Sequence, residues 1–257
     1  MKFVILALAV CFQSHAQVPL NKRILLTPEN TIVFRGEVTD ESAMLAQIKL
    51  AKLVAIRGAN LYPLYLVLDS PGGSIDAGLG FIEFAKVVRN LKTISIFAAS
   101  MASGIVEALP GERLVVQNGT LMFHRAAGTF RGYFETGEVE SQLMFGKSIM
   151  RQMENVNASR MRRKIMDYKE LVRSELWLYS TNNLTFRAAD KVVDIVCSQR
   201  LIDSRTTVSF ESLFGLGTVS FSGCPLFRSP STGDTAKYVL FNYTNYNLFK
   251  NFELNRL

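Results

Sequence analysis

Forty residues, Tyr65 to Gly104, limit most severely what this chain can become. Two apolar runs, Tyr65–Leu68 and Ile94–Phe97, have the length and composition of buried strands. The first runs into Pro71-Gly72-Gly73, and glycine permits backbone conformations that other residues avoid. The second runs into Ala98-Ala99-Ser100, a hydroxyl on a strand-to-helix corner. A strand, a glycine corner, a crossover helix and a second strand make a right-handed βαβ unit. Ligands gather at the carboxyl ends of the strands in such units. The spacing therefore brings the Gly73 backbone and the Ser100 hydroxyl to one cleft.

The wording of these corners resembles a known family. D-S-P-G-G-S from Asp69, A-A-S-M from Ala98 and G-E-R-L-V-V-Q-N-G-T-L-M-F-H from Gly111 to His124 resemble the Clp protease family of serine peptidases. The likeness runs from about Asn30 to Val196. P-G-G followed by A-A-S is also similar, more distantly, to signal peptide peptidase A, which shares the fold. The resemblance implies an α/β fold of the ClpP/crotonase type: repeated βαβ units forming a curved sheet flanked by helices. It also implies a projecting handle helix that builds contacts between stacked rings.

Peptide hydrolysis by serine needs an activated hydroxyl, a base within hydrogen-bond reach and donors for the tetrahedral oxyanion. Ser100 is the candidate nucleophile and His124 the candidate base, which later protonates the leaving amine. The backbone N–H groups of Gly73 and Met101 are the candidate oxyanion donors, Met101 opening a helix whose positive end faces the serine. Ser103 is the rival nucleophile, but one helical turn in, its side chain would point along the helix. The third member departs from the family pattern. Where the resemblance places an aspartate, this chain has Thr181, followed by Asn182 and Asn183. Asn182 as a neutral orienter, Asp167 as a substitute carboxylate, or a weakened dyad are the open readings. No metal site and no cofactor are expected, and no P-loop is present.

Residues 1–16 read as a secretory signal peptide: Lys2, the apolar run Phe3–Phe12, then Ser14-His15-Ala16 with small residues where a signal peptidase reads. An uncleaved anchor is the alternative. Cleavage would lower the net charge from +7 to +6 and leave His124 as the one histidine and Cys197 and Cys224 as the two thiols. In an oxidising compartment those two cysteines are expected to pair. No Lys/Arg run is interleaved with aromatics, so nucleic-acid binding is not expected; Arg160–Lys164 reads as a solvated basic helix face.

In order along the chain, residues 17–30 read as an extended arm, residues 31–198 as the protease-like domain and residues 199–257 as a β-rich extension. Thr31–Phe34 reads as a strand. A helix capped by Thr39 should bury Met44, Ile48, Ala51 and Ala55, and stop at Gly58. The crossover helix should start at Ser74, bury Leu79, Ile82, Ala85 and Val88, and stop near Asn90. Asn118-Gly119 predicts a turn between two strands, the second ending at His124. A looser stretch from Ala127 to Gly137 precedes a long helix striped by Val139, Leu143, Gly146, Met150 and Met153. That stripe suits either the handle or an ordinary amphipathic helix packed on its own sheet. Asp167–Tyr179 reads as helix with Trp177 in the core, Leu184–Val196 as a closing helix and strand, and Lys237–Asn242 as a short strand.

The functional expectation is a secreted or periplasmic serine endopeptidase. It would act on peptides or unfolded protein as a homo-oligomer and without an ATPase partner. The alternative is a catalytically weak scaffold or adaptor that keeps the oligomer-forming fold. Hydratase or isomerase chemistry on acyl-CoA, also known on this fold, is disfavoured for an exported chain.

Overall fold

The computed structural model describes residues 22–57, 63–125, 136–212 and 215–227. Among these, seven strands form one sheet: β1 (Lys22–Leu26), β2 (Thr31–Arg35), β3 (Leu64–Ser70), β4 (Leu91–Ala99), β5 (Arg113–Phe123), β6 (Leu176–Tyr179) and β7 (Lys191–Cys197). The order is β1-β7-β5-β4-β3-β2, all neighbours parallel, with β6 added antiparallel to β5. Parallel pairing of successive strands requires crossover connections. Helices α1 (Asp40–Arg57), α2 (Ile75–Ala85) and α3 (Met101–Ala108) supply them, and α4 (Thr136–Arg160), α5 (Ile165–Leu171) and α6 (Asn182–Thr185) follow. This is the expected mixed α/β architecture, a mostly parallel sheet flanked by helices.

Strand β3 shows why the centre forms as it does. Every one of its residues is buried. Leu64, Leu66 and Leu68 face the helices with Phe81, Ile105 and Tyr168, while Tyr65 and Val67 face a second cluster with Ile94, Ile96, Leu114 and Val193. A strand covered on both faces needs no polar alternation, so its sequence is a continuous apolar run.

Several local expectations need correction. Residues 22–26 are not an arm: β1 pairs with β7 from Lys22↔Val193 to Leu26↔Cys197. Ile24 and Leu26 enter the core between exposed residues, a short strand alternation. Helix α1 buries Ala43, Ala46, Leu50 and Leu53, whereas Met44 and Ile48 are 49% and 43% exposed. The helix carries apolar residues on two faces, and the expected one, with Met44, Ile48, Ala51 and Ala55, is the exposed one. Its start is as expected, with Thr39 and Ser42 exchanging backbone N–H and hydroxyl contacts; Gly58 lies outside the described residues. Helix α2 ends at Ala85, a turn before Asn90, and its main core residue is Phe81, edge-on to Phe34 at 5.5 Å.

Asn118-Gly119 does not end a strand. Thr93–Ser95 pair with Arg113–Val115 and Phe97–Ala99 with Thr120–Met122, so both halves of β5 run parallel to β4 with a bulge between them. A Cβ on Gly119 would lie 2.6 Å from the Ser95 carbonyl oxygen, so only glycine lets the chain pass here. Beyond the bulge β5 exchanges β7 for β6 as its outer neighbour. The region 167–179 is a short helix and then a strand. The helix ends at Leu171, Glu175 at φ +76° turns the chain into β6, and Trp177 is 40% exposed, leaning on Phe97 rather than entering the core.

The first half of α4 is exposed on all sides, including Val139, Leu143, Met144 and Phe145, and only its second half packs on α3 and α5. It therefore projects instead of lying along its own sheet. Helix α7 (Gln199–Asp203) leads into the hairpin of β8 (Arg205–Ser212) and β9 (Gly215–Ser222). Cys197 and Cys224 form a disulfide, with Cα atoms 5.8 Å apart, and Arg35 donates to the Pro225 carbonyl at 3.0 Å. These ties hold the extension to the ends of β7 and β2. Residues 1–16, 126–135 and 237–242 lie outside the described residues.

Candidate active site

The ends of β3 and β4 shape the site. Ser100 follows β4 with φ +55° and ψ −121°, a conformation costly for a residue with a Cβ, on the order of 1–3 kcal/mol. Two bonds hold the corner: Ser100 N–H donates to the Met122 carbonyl at 2.9 Å, and Gly104 N–H donates to the Ser100 carbonyl at 3.1 Å. The Ser103 hydroxyl lies 2.7 Å from both the Ser100 and the Met122 carbonyl oxygens and is almost fully buried. Ser103 thus braces the corner: it borders the cleft, but its hydroxyl proton is held by these carbonyls.

His124 follows the last residue of β5, and its Nε2 is 2.6 Å from Ser100 Oγ. In the tautomer that makes Nε2 the acceptor, Nδ1 carries the proton. Both side chains are half-buried, so reactants can reach them.

Opposite them, Gly72 (φ +92°) and Gly73 (φ +145°) turn the chain out of β3. A Cβ on Gly72 would sit 2.6 Å from the Ala99 carbonyl oxygen and 2.8 Å from the Met101 nitrogen, so the glycine backbone lies directly on the serine corner. Gly73 bridges to Val38: Val38 N–H donates to Gly72 O and Ser74 N–H to Val38 O, both at 2.8 Å. That pattern turns the Gly73 N–H away from Val38. Neither it nor the Met101 N–H, first in α3, has an acceptor among the described residues. Sequence reading named Gly73; it missed Gly72, whose signal was the doubled glycine itself.

Ser100, His124, Gly73 and Met101 line one cleft of about 130 Å³, together with Ile75, Ser103, Phe123, Arg125, Met150, Met153, Glu154, Asn157 and Tyr168. The expected orienters do not join them. Thr181 and Asn182 are exposed, and neighbouring Ser180 bonds to Gly119, five residues back along β5 from His124. Asp167 is exposed and does not line the cleft. His124 Nδ1 has no partner among the described residues. Glu175, which sequence reading did not consider, precedes β6, whose Leu176 pairs with Phe123; it does not line the cleft. The Glu175 carboxylate accepts the Trp177 indole N–H at 2.9 Å.

A strained serine touching a histidine, with unused backbone donors opposite, is an arrangement suited to acyl transfer. Comparison of the whole sequence with protein families agrees in class. The family model described as Clp protease matches residues 16–196, most of the chain and all of these residues, and that family points to a serine peptidase. The chain belongs to the Clp protease family.

Proposed function

We propose that this protein is a serine endopeptidase that cleaves peptides or unfolded protein through a Ser100–His124 acyl-enzyme mechanism. The observation that carries this reading is the 2.6 Å contact between Ser100 Oγ and His124 Nε2, facing the unused N–H groups of Gly73 and Met101. His124 takes the hydroxyl proton as Ser100 Oγ bonds to the scissile carbonyl carbon. The oxyanion forms where Gly73 and Met101 donate, assisted by the positive end of α3. As the C–N bond breaks, His124 returns its proton to the leaving amine. Water, deprotonated by the same imidazole, then hydrolyses the ester. Glu175, one residue before the β6 partner of Phe123, is the candidate carboxylate for the Nδ1 proton.

The Cys197–Cys224 disulfide supports work in an oxidising compartment, periplasmic or extracellular, where no ATP-driven partner would feed the enzyme. The projecting half of α4, with Met144 63% and Phe145 65% exposed, supports a homo-oligomer. A scaffold without activity is the second reading, favoured by the absence of any His124 Nδ1 partner among the described residues. A fluorophosphonate probe separates the two. Labelling of Ser100, mapped by mass spectrometry, together with peptide cleavage, supports the enzyme. Folded protein that neither labels nor cleaves supports the scaffold.

A further inference from the structure

The cleft beside Ser100 has apolar walls and a polar floor, and the floor is incompletely paired. On α4, Met150, Met153, Glu154 and Asn157 recur at helical spacing and all face the cleft. Met153 lies against Gly104 of α3, where an added Cβ would come within 2.6 Å of its Cε, so this stripe is seated on the helix that starts at the nucleophile. With Ile75 and Phe123, the two methionines make walls suited to methylene groups.

At the floor, Asn157 is only 8% exposed. Its Nδ2 donates to the Tyr168 hydroxyl oxygen at 2.9 Å, while its Oδ1 is buried and receives no hydrogen bond. A buried acceptor left unpaired is costly, and native proteins rarely carry one without a use. Tyr168 is 2% exposed and has accepted the Asn157 N–H, so its own proton has no acceptor among the described residues. Burial pushes the Tyr168 pKa up to about 12, so that proton stays on. One vacant acceptor and one vacant donor thus stand side by side. A carboxylate has no donor for Asn157 Oδ1 and would face it acceptor to acceptor; Glu154, paired with Lys169 at 3.2 Å, and Arg125 also line the cleft.

We propose that Asn157 and Tyr168 form a subsite for the substrate side chain preceding the scissile bond, selecting a primary carboxamide, above all glutamine. This rests on the peptidase reading above. The carboxamide N–H would donate to Asn157 Oδ1 and its C=O would accept from the Tyr168 hydroxyl, with the methylenes between Met150 and Met153. An aliphatic side chain of equal length leaves both floor groups buried and unpaired, and lysine pairs only with Oδ1.

The test uses the full chain and fluorogenic peptides that differ only at that position: glutamine, methionine, glutamate and lysine. Glutamine should give the highest kcat/KM, above methionine by on the order of tenfold. Asn157→Leu and Tyr168→Phe should each collapse that ratio. The wild-type ratio decides even if neither variant folds. Methionine equal to or better than glutamine, with cleavage intact, overturns the subsite alone. No cleavage and no fluorophosphonate labelling overturns the peptidase reading and the subsite with it.

Discussion

The two ends of α3 are built on opposite terms. At its first turn, Ser100 holds a strained backbone, and the N–H groups of Met101 and nearby Gly73 point into a half-open cleft without acceptors. At its last turn, polar groups are sealed. Glu107 is fully buried against Arg113 at 2.5 Å, and Arg113 also grips Asp190 through its side chain at 2.7 Å and its backbone N–H at 2.8 Å. Arg160 donates to the Leu109 and Gly111 carbonyls just beyond, at 3.2 and 2.9 Å. In the proposed mechanism one end keeps donors free for charge that forms only during reaction; the other uses most of its polar groups to hold the fold, with Glu107 Oε1 and Arg160 Nε left buried and unpaired.

The largest expected effect falls on the open end. Ser100→Ala should lower peptide hydrolysis by on the order of 10⁴-fold or more while leaving the melting temperature close to wild type. A variant as active as wild type would place the chemistry elsewhere. The sealed end should answer in stability instead. Arg113→Met takes the hydrogen-bond donor from the buried Glu107 carboxyl and frees Asp190, so denaturant unfolding should show a loss of about 1–3 kcal/mol, with turnover per folded molecule changed little. A loss of turnover without a loss of stability would erase the contrast between the two ends.

Two smaller effects sharpen it. Glu175→Gln should reduce kcat by about 10–100-fold and change the pH profile of kcat, because an amide cannot compensate an imidazolium as a carboxylate does. If only the melting temperature moves, Glu175 serves Trp177 and not His124. At the other end, burial pushes the Glu107 carboxyl up from 4.5 to about 8, with Arg113 working against it. Between those values the folded chain holds a proton that the unfolded chain has released, so folding stability falls as pH rises through that window. Glu107→Gln titrates nowhere, and its melting temperature should fall less than wild type between about pH 5 and 8.

Some of this was readable before any fold was known. Buried parallel strands are apolar throughout, so β3 and β4 announced themselves; Gly72-Gly73 and Ser100 followed because a corner that meets another backbone admits few residue types. The family wording of Gly111–His124 placed the histidine in reach of the serine. Strand β6 was hidden because Leu176–Tyr179 is too short to declare itself a strand. Only the free edge of β5 beyond the Gly119 bulge makes it one. The buried face of α1 was misread for a related reason: both faces are apolar, and the fold buries the one with Ala43, Ala46, Leu50 and Leu53. The partners of Asn157 belong to the same class, since a helical stripe in the sequence does not say which of its members will meet Tyr168. Local composition determined the strands and corners of this protein, because burial and backbone freedom are properties of the residues themselves. Pairing across distant elements decided strand β6, the helix faces and the floor of the cleft, because those depend on which surfaces the packed chain leaves open.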